Sequence, residues 1–249
     1  MDPVEEVLDG ESNVRPGYVL LAGAVGFVVG ELGASILVAA VATATKYPGG
    51  FTALASAARD PWWAGILSLT GLWCGFVLAI IGATRVGGLR PWPHQWRLRV
   101  GDWRYVVLGV VAQFAIALAY RPFHLHDFNR PVTKLFGATS GAGFVLLALA
   151  TTVGAPVVEE WFFRGVIFRG LAELGSSVAH RFVVPTAVVL SAVVFAGAHG
   201  EPAQFVGLAA LGVVLALVAW RTHRLAPSAL THLSFNAVAM VSVVAQRIH

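Results

Sequence analysis

Apolar residues run through this chain in long blocks broken by short polar segments. The blocks cover Tyr18–Thr45, Trp62–Thr84, Tyr105–Tyr120, Phe144 onward through "VVEEWFFRG" (157–165), Phe182–Ala198, Gln204–Trp220 and Ala226–Ala245. Each is near the ~20 residues that carry an α-helix across a bilayer, although the third is short. The pattern predicts an all-α integral membrane protein, a bundle of about seven transmembrane helices with an error of one either way.

Composition agrees. Of 249 residues, 57% are hydrophobic and 12% charged, where a soluble domain averages about 25% charged. The mean hydropathy is +0.74. Residues 1–17 are the polar exception and read as a short, disordered acidic tail. They carry Asp2, Glu5, Glu6, Asp9 and Glu11, where a signal peptide would be basic. The lone Cys74 falls inside a span, so no internal disulfide is possible. No repeat, low-complexity tract or soluble domain interrupts the pattern.

The sequence pI of about 9.7 could suggest nucleic acid, but the basic residues lie at span ends. With alternating spans, one side holds Arg15, the five arginines from Arg85 to Arg104, Arg164, Arg169, Arg181, Arg221 and Arg224. The other holds Lys46, Arg59, Arg121, Arg130, Lys134 and Arg247, so the balance is 11 against 6. The positive-inside rule then places the N-terminus in the cytoplasm, and seven spans place the C-terminus outside. The linker "RPWPHQWRLRVGDWR" (90–104) reads as an interfacial segment with Trp and Arg at headgroup level. No nucleic-acid partner is expected. "YRPFHLHDFNRPVTK" (120–134) reads as a connecting loop, and nothing around its His124 and His126 argues for a metal site.

Ionisable groups inside spans cost about 2.5 to 3.5 kcal/mol each on insertion scales and by default suggest function. "VVEEWFFRG" places three together. Glu160 and Arg164 stand at i and i+4, suitably ordered for an ion pair. Glu159 points about 100° away, which leaves one carboxylate held and one free. Gly154 and Pro156 can bend the helix or start a new one, in which case both glutamates would sit near a helix N-terminus. The bland alternative is a buried structural ion pair.

Two later segments add to this: "FAGAH" (195–199) ends the fifth span with His199, and "HLSFN" (232–236) puts His232 and Asn236 on one face of the last. If these spans pack together, they supply a base, two imidazoles and a neutral donor around one pocket. That set suits water activation and attack on a carbonyl. It could equally hold Zn²⁺ through Glu159, His199 and His232.

These residues carry a resemblance. "EEWFFRG", "FAGAH" and "HLSFN" resemble, in order, the EExxxR, FxxxH and HxxxN motifs of the CAAX protease and bacteriocin-processing family of intramembrane proteases, and "RTHRLAPSALTH" is similar to the family's lead-in to its last motif. The resemblance covers roughly Phe144 to Met240. It implies a protease core over 143–249, a variable helical scaffold over 18–142, and a polar cavity enclosed within the membrane. Carried over, it makes Glu159 the activator of the attacking water, assisted by His199. His232 and Asn236 would stabilise the oxyanion. Glu160, Arg164 and Phe195 would support them. A bound Zn²⁺ and a metal-free glutamate-activated water both remain open, because they recruit the same side chains. The expected activity is an intramembrane endopeptidase acting on a membrane-associated peptide or protein. The competing readings are a non-catalytic immunity or scaffolding protein and a small transporter. Against the transporter, the charges concentrate in the C-terminal half and no inverted repeat is evident. Arginine greatly outnumbers lysine and Ala, Gly and Val abound, usage that suggests a GC-rich bacterial genome.

Overall fold

The computed structural model describes residues 14–123, 129–175 and 180–248; the acidic stretch 1–13, His124 and His126 lie outside the described residues. The helices are α1 (Pro16–Ala44), α2 (Gly50–Ala55), α3 (Trp62–Arg85), α4 (Trp103–Tyr120), α5 (Arg130–Phe136), α6 (Gly141–Leu149), α7 (Ala155–Phe162), α8 (Arg169–Leu174), α9 (His180–Ala198), α10 (Phe205–Thr222) and α11 (Leu225–Ile248), with no strand among the described residues. Six helical stretches are long and apolar enough to cross a membrane: Pro16–Ala44, Trp62–Arg85, Val100–Phe123, Gly141–Leu174, Pro202–Thr222 and Leu225–Arg247. Phe182–Ala198 is a shorter apolar helix. They follow the seven apolar blocks one for one. The first begins at Pro16, inside the segment expected as tail, because proline's fixed φ and missing N–H suit the first position of a helix.

Helix α1 packs along α3 through small residues. Gly26, Gly30 and Ala34 on α1, and Gly71, Gly75 and Ala79 on α3, recur every four residues and are buried. A Cβ placed on Gly75 would lie 2.5 Å from Gly30 Cα. Lipid offers no hydrophobic drive between helices, so such close backbone approach is how they associate.

The linker between α3 and α4, expected as an interfacial segment, folds back onto the start of the last span. The Gln95 carbonyl accepts the Leu225 and Ala226 N–H groups at 2.8 and 2.9 Å, satisfying two donors that the start of α11 leaves open. Asp102 takes two hydrogen bonds from Arg224, each 2.8 Å. Arg224 also donates to the Arg97 carbonyl. Both partners are buried, so Arg224 is a structural strap rather than the loop charge that the topology count assumed. Removing one partner strands the other's charge, so Asp102→Ala should cost about 3–5 kcal/mol. The paired replacement Asp102→Leu with Arg224→Met should cost less than Asp102→Ala alone. Thermal melts of the three variants check this, and equal losses would make the pair inert.

The stretch Gly141–Leu174 is helical without a break. At ~1.5 Å per residue its 34 residues extend about 50 Å, well beyond the ~30 Å hydrocarbon thickness. Two π-helical segments, Ala150–Gly154 and Phe163–Phe168, flank α7. Pro156 explains the first: it has no N–H to offer the preceding turn, and the ladder widens so that Ala155 N–H reaches the Ala150 carbonyl. The helix therefore continues through Pro156. No new helix starts there, and the glutamates sit mid-helix rather than at a helix N-terminus.

Candidate functional site

That long run bears on the depth of the site residues. Simple alternation put Arg164 at a membrane edge and His199 a full span away. Arg164 is instead fully buried, ten residues before the end of the run at Leu174. Helix α9 packs back against Phe163–Leu174, so Glu159, ~22 Å back along one helix, and His199, just past the end of α9, line one cavity. A third marker agrees. The Trp92 ring lies 5.8 Å from the His223 ring and 4.9 Å from the Arg169 guanidinium, which sets those two residues at one level. From that level Glu159 lies ten residues back and His232 nine onward, about 15 and about 14 Å along their helices.

At that depth Glu160 is fully buried and saturated with donors. Arg164 Nη1 donates to its Oε1 at 2.9 Å, His232 Nδ1 lies 3.1 Å from the same oxygen, and Ser228 Oγ donates to Oε2 at 2.5 Å. The i, i+4 pair expected from spacing is therefore present. Arg164 also donates to the Gly212 carbonyl at 3.2 Å, and its guanidinium lies 4.5 Å from the centre of the Phe195 ring. Phe195 is fully buried and meets Phe163, His199 and His232 edge-on at 5.1, 4.7 and 5.7 Å between ring centres. It is the packing centre of the cluster.

Glu159 is placed differently. Its nearest basic group is His232 Nε2, at 3.9 Å from Oε2, too long for a direct hydrogen bond. The two glutamates address opposite nitrogens of one imidazole, so they are less separated than a 100° rotation alone suggests. His199 Nδ1 lies 2.8 Å from the Phe195 carbonyl. A carbonyl can only accept, so Nδ1 carries the proton, and neutral His199 has its lone pair on Nε2. Asn236 donates one amide hydrogen to the Thr151 carbonyl at 3.0 Å, inside the first π-helical segment.

Glu159, His199, His232 and Asn236 all line one cavity of about 500 Å³. Most of its remaining lining is apolar, including Leu69, Ile116, Leu208, Leu211 and Phe235, with Gln113, Tyr120 and Gln204 among the polar members. The cavity is mixed in character. Glu160 and Arg164 lie behind Glu159 and His232 and do not line it.

Residues 141–238 match the family model described as type II CAAX prenyl endopeptidase, Rce1-like. Over that segment the chain resembles that family. The match covers about two-fifths of the chain, from α6 into α11, and includes Glu159, Glu160, Arg164, Phe195, His199, His232 and Asn236. Neither the curated proteins nor the solved structures give a match. An Rce1-like segment in a chain of apolar helices supports an intramembrane endopeptidase with a membrane-associated peptide or protein as substrate.

Sequence reasoning missed Ser228, although a signal existed: Ser228, His232 and Asn236 repeat every four residues on one face of α11. Thr151 and the π-helical segments left no comparable trace. Among the described residues, no group of three or more His, Cys, Asp or Glu side chains is arranged to hold a metal ion. The second nitrogens of His199 and His232 are nonetheless held as metal-ligating histidines usually are, by a carbonyl and a carboxylate.

Proposed function

We propose that this protein hydrolyses a peptide bond of a membrane-associated substrate with a water activated by Glu159. One observation carries the reading: of two adjacent buried carboxylates, Glu160 is saturated by Arg164, Ser228 and His232, while Glu159 faces a cavity without such partners. The saturated carboxylate positions; the free one reacts. One water can hydrogen-bond to both Glu159 Oε2 and His232 Nε2 across their 3.9 Å gap. Glu159 takes its proton as the oxygen attacks the substrate carbonyl, and His199 Nε2 assists.

Geometry gives His232 its part. Its Nδ1 is held by Glu160, so Nε2 is the nitrogen that faces Glu159 and the bridging water. As that water attacks, an N–H at Nε2 can shift from the water to the developing oxyanion. Asn236 adds the amide hydrogen not spent on Thr151. The proton on Glu159 then passes to the leaving amine. Zn²⁺, if bound by Glu159, His199 and His232, would supply Lewis-acid activation of the same water; no step above is routed through it.

The cytoplasmic N-terminus remains part of this proposal. The test compares membrane-protein C-termini, by mass spectrometry, in cells carrying the wild type and cells carrying Glu159→Gln. Truncated C-termini present with the wild type and lost in the variant are expected. Identical C-termini would favour the immunity or scaffolding reading.

A further inference from the structure

The cavity has a wall outside the Rce1-like segment. Helices α4 and α11 run parallel in one register: Asp102 pairs with Arg224, 122 residues on, and Gly109 lies against Thr231 at the same separation. Carried one turn further, this offset puts Gln113 level with Phe235 and beside Asn236. Gln113 lines the cavity, and its Oε1 is buried without a hydrogen-bond partner.

The hydrogen bonds of the neighbouring polar groups run elsewhere. Asn236 gives one amide hydrogen to the Thr151 carbonyl and keeps the other for the oxyanion, the Thr151 hydroxyl donates to Leu147, and Tyr120 Oη receives the Gly207 N–H. A buried acceptor left open costs free energy, and more so in a span, where lipid supplies no donor. Its chemistry points to the missing partner. A primary amide offers one acceptor and a donor pair, the complement of a peptide unit's N–H and C=O. The apolar walls beside it disfavour a charged ligand, and about 500 Å³ falls within the usual range of ligand sites.

We propose that Gln113 binds substrate: its amide hydrogen-bonds the backbone of an extended peptide next to the scissile bond and holds it against Asn236. The inference rests on the endopeptidase reading and adds a residue that the family match does not reach.

The test uses the full chain in nanodiscs with a quenched fluorescent reporter, a farnesylated peptide ending in a CAAX sequence. Gln113→Met keeps the side chain's length and removes both polar atoms. It should raise KM about tenfold, the loss of one well-made hydrogen bond, with kcat and the melting temperature little changed. Reporters carrying a single ester in place of one amide supply a second measurement. At one position the ester should cost the wild type about tenfold and cost Gln113→Met nothing further. Wild-type kinetics in Gln113→Met, or losses that simply add at every ester position, would overturn this inference and leave the endopeptidase reading standing. An ester series that never slows the wild type would do the same. A wild-type protein that neither binds nor cleaves the reporter would remove both.

Discussion

Glu159→Gln is expected to slow cleavage by about 10²- to 10⁴-fold, the usual worth of a positioned general base, while leaving the melting temperature essentially unchanged. Glutamine keeps the shape and loses the basic oxygen. Glu159 makes no ion pair closer than the 3.9 Å approach to His232, so the fold loses little with its charge. The loss should fall on kcat, because substrate binding does not need the proton acceptor. Cleavage assays and melts on the same preparation check both halves. Retained activity in a folded Glu159→Gln protein would remove Glu159 from its role.

Glu160→Ala is expected to do the reverse in kind. It removes the acceptor shared by Arg164, Ser228 and His232 and strands a fully buried guanidinium. Losing one member of a buried pair costs about 3–5 kcal/mol, a large share of the ~5–15 kcal/mol stability of a typical protein. The melting temperature should drop sharply. Glu160→Gln, which still accepts from Ser228, should fall between. Equal melting losses for Glu159→Gln and Glu160→Ala would mean that both carboxylates are structural.

The spans were legible because crossing a bilayer demands an apolar run near one length, and seven such runs stand in the sequence. The Glu160–Arg164 pair was legible because i, i+4 neighbours meet on any helix. Depth was not. The charge count sets Arg164 at a span end and Arg224 in a loop, but each is buried against a carboxylate, Glu160 four residues away and Asp102 just before α4. The second pairing joins residues too distant for any local rule. The π-helical segments around α7 were equally hidden, since one widened turn leaves no periodic mark; only Pro156 hinted at the first. Such segments are rare and often accompany functional sites. Here they bracket the helix that carries Glu159 and Glu160, and Asn236 fastens to one of them.

The central claim is hydrolysis in this cavity by the Glu159 carboxylate. Its most direct test is the purified protein in liposomes with the farnesylated CAAX reporter, the products read by mass spectrometry. The account predicts one new C-terminus formed by the wild type and none above background formed by Glu159→Gln of equal melting temperature. Cleavage at the same bond by both proteins, or by neither, would contradict it.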